Sequence, residues 1–177
     1  MGNSIPRSTH ERSRPVLGLR WRPGRLVLAI LRMPLLAYHH GMGWLLGHAF
    51  LLLTHRGRKT GEPHETVAMV LRYQPEVSEA VISSVWGPDT DWMRNIRANP
   101  ASRVQIGKEV FTPQQRFLSE PESVEVVAEC LDKHPWRFRV VAFVLGWGNL
   151  RVESVAQDVV HTRPFVAFGP APAAKAR

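Results

Sequence analysis

The sequence holds a single cysteine, Cys130. One thiol excludes an internal disulfide framework and any thiolate cluster around a metal, and it suits a reducing compartment. No apolar run reaches the roughly 20 clean residues that a membrane-spanning helix needs. The nearest, Leu26 to Tyr38, is interrupted by Arg32 and Pro34. No small-residue cleavage site follows a clean apolar core, so the start does not read as a signal peptide. The opening "MGNSIP" imitates a myristoylation start, but Pro6 occupies the place of the required Ser or Thr.

Signatures of several chemistries are missing as well. A Walker loop needs G-x-x-x-x-G-K-[ST], and "GRKTG" lacks the preceding glycine spacing. No GxGxxG opens a helix, which leaves a Rossmann dinucleotide site without support. The eight histidines form no metal set. His39 and His40 are adjacent and point in different directions, while Glu62 and His64 flank a proline without a third ligand. No serine sits in a nucleophile elbow, and Cys130 falls on the apolar stripe of a helix as an unactivated thiol.

What is present is a globular composition, 44% hydrophobic with 14 prolines, in 177 residues. That length suits one domain with a real core. The net charge of +8 is unevenly spread: residues 1–64 carry 10 Lys+Arg against 2 acids, and residues 65–177 carry 13 of each. A basic arm on a neutral body argues for a local anion site and against a broad nucleic-acid face. The cations are not interleaved with aromatics as in a stacking platform, so no nucleic-acid partner is expected.

The chain divides into a basic arm at 1–20, an apolar N-terminal helix within 21–47, a β-rich body at 48–169 and a tail at 170–177. The segment 20–40 has two readings. It is an amphipathic helix resting on an anionic membrane with Arg20, Arg22 and Arg25, or a helix capping the core or a dimer partner; most such helices pack on protein. Strands are expected in "AFLLLTHRG", "ETVAMVLRYQP" up to Pro75, and "EAVISSVWG" up to Gly87. "DTDWMRNIRANP" reads as a helix with an acidic first turn, Trp92, Asn95 and Ile96 on one side, and Asn99-Pro100 as its stop. "SRVQIGKEVFTPQQRFLS" reads as a hairpin of two runs around Gly107-Lys108. Ser119 is the expected N-cap of a helix with Glu120 and Glu122 at its positive end and an apolar stripe of Val124, Val127, Cys130 and Leu131. Further helices are expected over "WRFRVVAFVLGWG" and from Arg151 to Val160, and "RPFVAFGP" as the last strand. Hairpins without βαβ crossovers describe a small antiparallel barrel or meander with helical attachments.

Two segments carry chemistry. In "LLLTHRGRKTGEPHETVAMVL" the turn holds Arg56, Arg58, Lys59 and His64, with glycines at 57 and 61. Its exposed backbone N–H groups, two cations and Thr60 hydroxyl suit a phosphate; a solvated basic turn is the plainer alternative. In "SSVWGPDTDWMRNIRANP", Trp86-Gly87 and Asp91-Trp92 put two indoles near one loop, as core packing or as an aromatic-walled pocket beside the turn.

These segments, with "RVQIGKEVF" and the terminal "RPFVAFGP", resemble the deazaflavin-dependent nitroreductase family. Its members show a strand ending in T-x-x-GR[KR][ST]G-x-P[RH], a [DN]W[YFM]-x-N-[LIV]-x-ANP helix and a V-x-[VI]-G hairpin, in that order. The match is good over residues 45–118. The resemblance implies an α+β, mainly β fold: a split β-barrel of about six antiparallel strands with flanking helices, related to FMN-binding flavoproteins. It implies coenzyme F420 as cofactor, with FMN as the alternative. Arg58, Lys59, Thr60 and Gly61 would hold the phosphate, with His64 where many members carry arginine. Thr66, Val67 and Met69 would line the deazaflavin ring; Ser83, Ser84, Trp86 and Gly87 would lie along its other edge; Trp92 and Asn95 would shape the substrate mouth. The implied activity is reduction of an electron-poor small molecule such as a quinone, enone or nitro compound, with the hydride chemistry on the cofactor and no catalytic side chain assigned.

Met93 departs from the aromatic residue that often follows the tryptophan. "HPWRFRVVAFVLGWGN" stands where some members have a tyrosine-rich segment, so no proton donor is assigned there. The expected compartment is the cytoplasm, with contact to the cytoplasmic face of the membrane through residues 20–40 left open. A homodimer is also left open. The alternative function is a non-catalytic split-barrel module binding a flavin-like or lipid ligand at the membrane surface.

Overall fold

The computed structural model describes residues 33–84, 86–137, 139, 157 and 159–172. Helix α1 is described at residues 33–39 and is followed by a 3-10 turn, Gly43–Leu46. The core elements are β1 (Phe50–Arg56), β2 (Pro63–Gln74), β3 (Glu79–Ser83), α2 (Asp91–Ala98), β4 (Arg103–Ile106), β5 (Glu109–Phe111), β6 (Pro113–Phe117), α3 (Glu120–Lys133) and β7 (Phe165–Pro170). The seven strands form one antiparallel sheet in the order β5-β4-β1-β2-β3-β7-β6.

The two strands at the ends of that order, β5 and β6, are neighbours in sequence with only Thr112 between them. The chain therefore brings the two edges of its own sheet together, and the Ala171 amide donates to the Thr112 carbonyl at 3.0 Å, which extends the β6–β7 pairing onto the linking residue. The result is a sheet nearly closed into a barrel, the split β-barrel of the sequence reading, with seven strands where about six were expected. The extra strand arises because the second run of the expected hairpin is cut at Thr112-Pro113. A proline supplies no N–H to a ladder, so the run leaves β4 there and starts afresh beside β7. The third expected strand is shorter than "EAVISSVWG" and ends at Ser83.

Strand alternation sorts the side chains. Leu51 and Leu53 of β1, Val70 of β2, Ala80 and Ile82 of β3, Val104 and Ile106 of β4, and Val166 and Phe168 of β7 fill the barrel interior. Met93 and Ile96 of α2 pack into that interior cluster. Val81, Phe165 and Ala167 point the other way and meet Val126 and Val127 of α3 with Val159 and Val160. Each fully buried side chain of this size contributes about 1.5–3 kcal/mol, so the two clusters are the main source of stability. Tyr38 ties α1 to the barrel: its hydroxyl donates to the Phe50 carbonyl at 2.7 Å, and burial pushes its pKa up to about 12.

Between Val70 and Arg72 the β2–β3 register shifts. The buried Arg137 guanidinium donates to the Val70 carbonyl there at 2.9 Å. At α3 the expected N-cap is Ser119, and the Glu122 carboxylate reaches back in capping-box fashion to accept from the Ser119 backbone N–H at 2.8 Å and from its hydroxyl at 2.7 Å. Its buried positions are Ser123, Val126, Val127 and Cys130, spaced i, i+3, i+4 and i+7. Val124, assigned to the stripe from the sequence, is exposed, because the true stripe runs through the small Ser123 one position earlier. Burial raises the Cys130 thiol pKa, in keeping with an inert core cysteine. The basic arm, most of the expected N-terminal helix, and most of the helices expected in "WRFRVVAFVLGWG" and from Arg151 to Val160 lie outside the described residues. Among the described residues, no helix is long and apolar enough to cross a membrane.

Gln115 of β6 crosses the barrel end to α2. Its amide donates to the Ile96 carbonyl at 2.7 Å and accepts from the Ala101 amide at 3.0 Å. Replacing it by alanine (Gln115→Ala) leaves both backbone groups without that partner and is expected to cost about 1–3 kcal/mol in a urea unfolding titration. At α3, the Ser119 hydroxyl and backbone N–H hold the Glu122 carboxyl down at about 2, with Arg116 adding to the effect. A depressed carboxyl contributes stability above its unfolded pKa, and that contribution is lost as pH falls toward the folded value. In Ser119→Ala the Glu122 pKa should climb back toward the ordinary carboxylate range in a carboxyl NMR titration; an unmoved pKa would exclude the capping box as its cause.

Candidate functional site

The β1–β2 turn is built by two glycines. The Gly57 amide donates to the Glu62 carbonyl and the Gly61 amide to the Gly57 carbonyl, both at 2.8 Å, which folds residues 57–61 back on themselves. A Cβ at Gly57 would fall 2.9 Å from Thr60 Oγ1 and 3.0 Å from His64 Nε2, closer than packed atoms approach. Gly61 has φ +71, the left-handed region that glycine adopts without strain. The tight turn leaves Lys59 and Thr60 exposed at its tip. The Arg56 guanidinium donates to the Gly61 carbonyl at 3.2 Å and braces the turn from outside.

Arg58 turns inward against α2. Its backbone N–H and its Nη1 both donate to Asn95 Oδ1 at 3.1 Å, and Nη1 also reaches Asp91 Oδ1 at 3.0 Å. Asn95 is buried in the face of α2 that carries Met93 and Ile96. Its Nδ2 lies 3.3 Å from Nδ1 of the buried His55, whose Nε2 lies 3.2 Å from Thr66 Oγ1. His55 is on the inner face of β1, in line with Leu51 and Leu53 and paired with His64 across the ladder. Its pKa is lowered, first by burial and then by the neighbouring His64.

These groups surround a cavity of about 560 Å³, lined by His55, the turn residues Gly57 to Thr60, His64 to Thr66, and Asp91, Trp92 and Asn95 of α2. The volume lies within the range usual for small-molecule and cofactor sites, about 300–1,000 Å³. One wall is cationic, the α2 wall is aromatic and polar, and the floor is the hydrogen-bonded set just described. The cation repulsion in the turn is thus partly met from within the chain by Asp91. That carboxylate is 86% exposed. An ion pair so open to solvent contributes about 0–1 kcal/mol, whereas a hydrogen bond from a charged donor to an anion is worth about 1.5–3 kcal/mol. An incoming anion therefore gains more from Arg58 than the loss of Asp91 costs.

Of the residues assigned from the sequence, the structure gathers Arg58, Lys59, Thr60, His64, Thr66, Trp92 and Asn95 around this cavity, with Gly61 shaping the turn. Val67 and Met69 alternate with Thr66 and lie half-buried: Met69 and Val67 face away from the interior occupied by Val70. Ser83 and Ser84 sit buried at the end of β3. Ser83 Oγ donates to the Pro164 carbonyl at 3.3 Å, and Ser84 Oγ contacts the Gly87 carbonyl and Thr90 Oγ1. Trp86 is exposed and Gly87 half-buried in the loop that follows. Neither these six residues nor Gly61 are among the cavity's lining residues. His55, Gly57, Glu65 and Asp91 line it without having been assigned. His55 was readable in principle, since the alternation of Leu51 and Leu53 continues to it; Asp91 depends on a contact across 33 positions, which no local pattern reveals. Among the described residues no group of His, Cys, Asp or Glu could hold a metal ion.

Solved structures similar to the chain include an F420-H2 dependent reductase (FDR-A), 18% identical over 69% of this chain and 96% of that one, with a TM-score of 0.45. Another is a pyridoxamine 5'-phosphate oxidase-related, FMN-binding protein from Nostoc punctiforme, 13% identical over 86% and 83%, TM-score 0.47. A third, described as a domain-swapped dimer, is 18% identical over 70% and 81%, TM-score 0.46. A model of the F420H(2)-dependent quinone reductases matches residues 37–139, a span that contains the basic turn, the cavity wall on β2 and all of α2. With more than half of its length matched, the chain belongs to the F420H(2)-dependent quinone reductase family.

Proposed function

We propose that the protein is a reductase that draws its electrons from reduced coenzyme F420 and delivers them to an electron-poor small molecule, a quinone, enone or nitro compound. The observation that carries this reading is the cavity lined by both the glycine-folded cationic turn and Trp92 of α2, within the stretch that matches the family. The donor set suits the group: a phosphate on an elongated cofactor needs N–H and cationic donors at one end, and a planar ring needs an apolar or aromatic wall. Arg58 and Lys59 supply charge and Thr60 a hydroxyl, and the missing Cβ at Gly57 lets the Thr60 and His64 side chains close in over the turn.

When bound, the reduced deazaflavin supplies the hydride that the acceptor takes up. The chain's own residues bind and orient. Arg58 is held in place by Asn95 and Asp91 before any ligand arrives, so little side-chain entropy is lost on binding. Lys59, exposed at the tip, adds a mobile point charge. Trp92 of α2 and the buried His55 of β1 form part of the cavity wall. Val67, Met69, Ser83, Ser84, Trp86 and Gly87 are proposed as the more distant part of the same binding surface on the strength of the family resemblance. FMN, whose single phosphate the same turn would accept, is the alternative cofactor.

Titrating the purified protein with coenzyme F420 and following its fluorescence should give saturable binding at micromolar protein; a linear, unsaturated response would refute the cofactor assignment. Lys59→Glu removes a cation and adds a repulsive charge, and is expected to weaken binding by about tenfold or more, from the about 1.5–3 kcal/mol of a charge-assisted contact. Arg58→Glu should weaken it further, because the same change also opposes Asp91. Unchanged affinity in both variants would take the turn out of the site.

A further inference from the structure

The hydrogen bonds on the cavity floor form a chain whose direction follows from its fixed end. Arg58 presents two obligate donors, its backbone N–H and its guanidinium, to one atom of the Asn95 side chain. That atom must be the amide oxygen, so the other terminal atom is the NH2 group, which can only donate. It faces His55 Nδ1, which therefore accepts and carries no proton. A neutral imidazole without a proton on Nδ1 carries it on Nε2, and Nε2 faces Thr66 Oγ1. Thr66 Oγ1 thus receives a hydrogen bond from His55 and keeps its own proton to give. Thr66 lines the cavity, and His55 is its hydrogen-bond partner among the described residues.

We propose that Arg58, acting through Asn95 and His55, fixes the Thr66 hydroxyl as a hydrogen-bond donor into the cavity, making Thr66 a specificity-determining contact for an acceptor atom of the ligand and His55 its positioning residue. The acceptor is a carbonyl oxygen or an unprotonated ring nitrogen, and the inference rests on the cofactor reading above only for which molecule carries that atom. A reversed chain is incompatible with the geometry. An imidazole protonated on Nδ1 would point its N–H at the Asn95 NH2, and rotating the amide to relieve this would set NH2 against both Arg58 donors. The surroundings favour the neutral ring as well. The charged and titratable groups about the cavity are Arg58 and Lys59 of the turn, His64 and Glu65 of β2, and Asp91 of α2, with Asp91 engaged by Arg58 and Glu65 by His39. Burial and His64 together lower the His55 pKa.

Two measurements test the chain. In a long-range nitrogen–proton NMR spectrum of the full-length protein at neutral pH, with the His55 signals identified by their loss in His55→Gln, His55 should show the neutral tautomer protonated on Nε2. Asn95→Asp keeps an acceptor for Arg58 but offers His55 an acceptor too, and should place a proton on His55 Nδ1 at the same pH. A wild-type His55 protonated on Nδ1 overturns the proposal whatever the ligand. In the fluorescence titration with coenzyme F420, Thr66→Ser should bind as the wild type does, and Thr66→Val about tenfold more weakly. If Thr66→Val does not fold by circular dichroism, Thr66→Ala takes its place with the same expectation. Wild-type affinity in a folded variant that lacks the hydroxyl overturns the donor role. Failure of the wild type to bind either F420 or FMN refutes the cofactor reading instead, and the imidazole spectrum still decides the direction of the chain.

Discussion

One amide side chain couples the two halves of the site. Asn95 sits on the buried face of a two-turn helix between Met93 and Ile96, where an amide without partners would cost several kcal/mol. It meets that requirement by accepting from the backbone and side chain of Arg58 and by donating to His55. The β1–β2 turn and α2 are therefore locked to each other by a group that neither could leave unpaired. The cavity between them has a fixed width because the bonds across it have fixed lengths. The cationic end of the site is preorganised by the same interaction that satisfies the core.

The barrel supplies the surface on which this coupling rests. The inner face of β1 changes from Leu51 and Leu53 to His55 as it nears the turn, and that of β2 from Val70 and Ala68 to Thr66 and His64. The interior thus passes from apolar to polar along two paired strands without a break in register. Met93 and Ile96 close the apolar part, while Asn95 and Trp92, on the same short helix, face the polar part. A small, nearly closed sheet with one helix across its end can hold both an apolar core and a polar cavity only because the change happens within one or two residues on each element.

Local chemistry was legible in the sequence where neighbours in sequence are neighbours in space. The turn from Gly57 to Gly61 shows its glycines and cations in five residues, and α2 shows an acidic first turn and the Asn99-Pro100 stop. The N-cap of α3 is equally local, with Ser119 and Glu122 three positions apart. What escaped was set by contacts between distant segments. The division of one apparent strand into β5 and β6 depends on the sheet's far edge arriving beside Pro113. The inward face of α3 could not be told from a stretch containing Val124, Val126 and Val127, since both choices keep helical spacing and only packing against Val81 and Phe165 decides. The hydrogen-bonded set of Arg58, Asn95, His55 and Thr66 joins the β1–β2 turn, α2, β1 and β2; Arg58, Asn95 and Thr66 were each assigned from the sequence, but their connection through His55 was not.

The closure of the sheet at Thr112 makes the barrel's circumference a quantity counted in residues. A single residue spans the gap between the first and last strands of the order. The strand beginning just after it carries Gln115, which grips the end of α2 through Ile96 and Ala101. A one-residue insertion or deletion at that junction, carried into β6 as a register shift, would move Gln115 to the other face and release the C-terminal end of the helix that bears Asn95. The linker acts as a gauge for the cavity from a place outside its lining. In such a chain, substitutions at the junction are a matter of composition, whereas insertions and deletions there are a matter of geometry transmitted to the site.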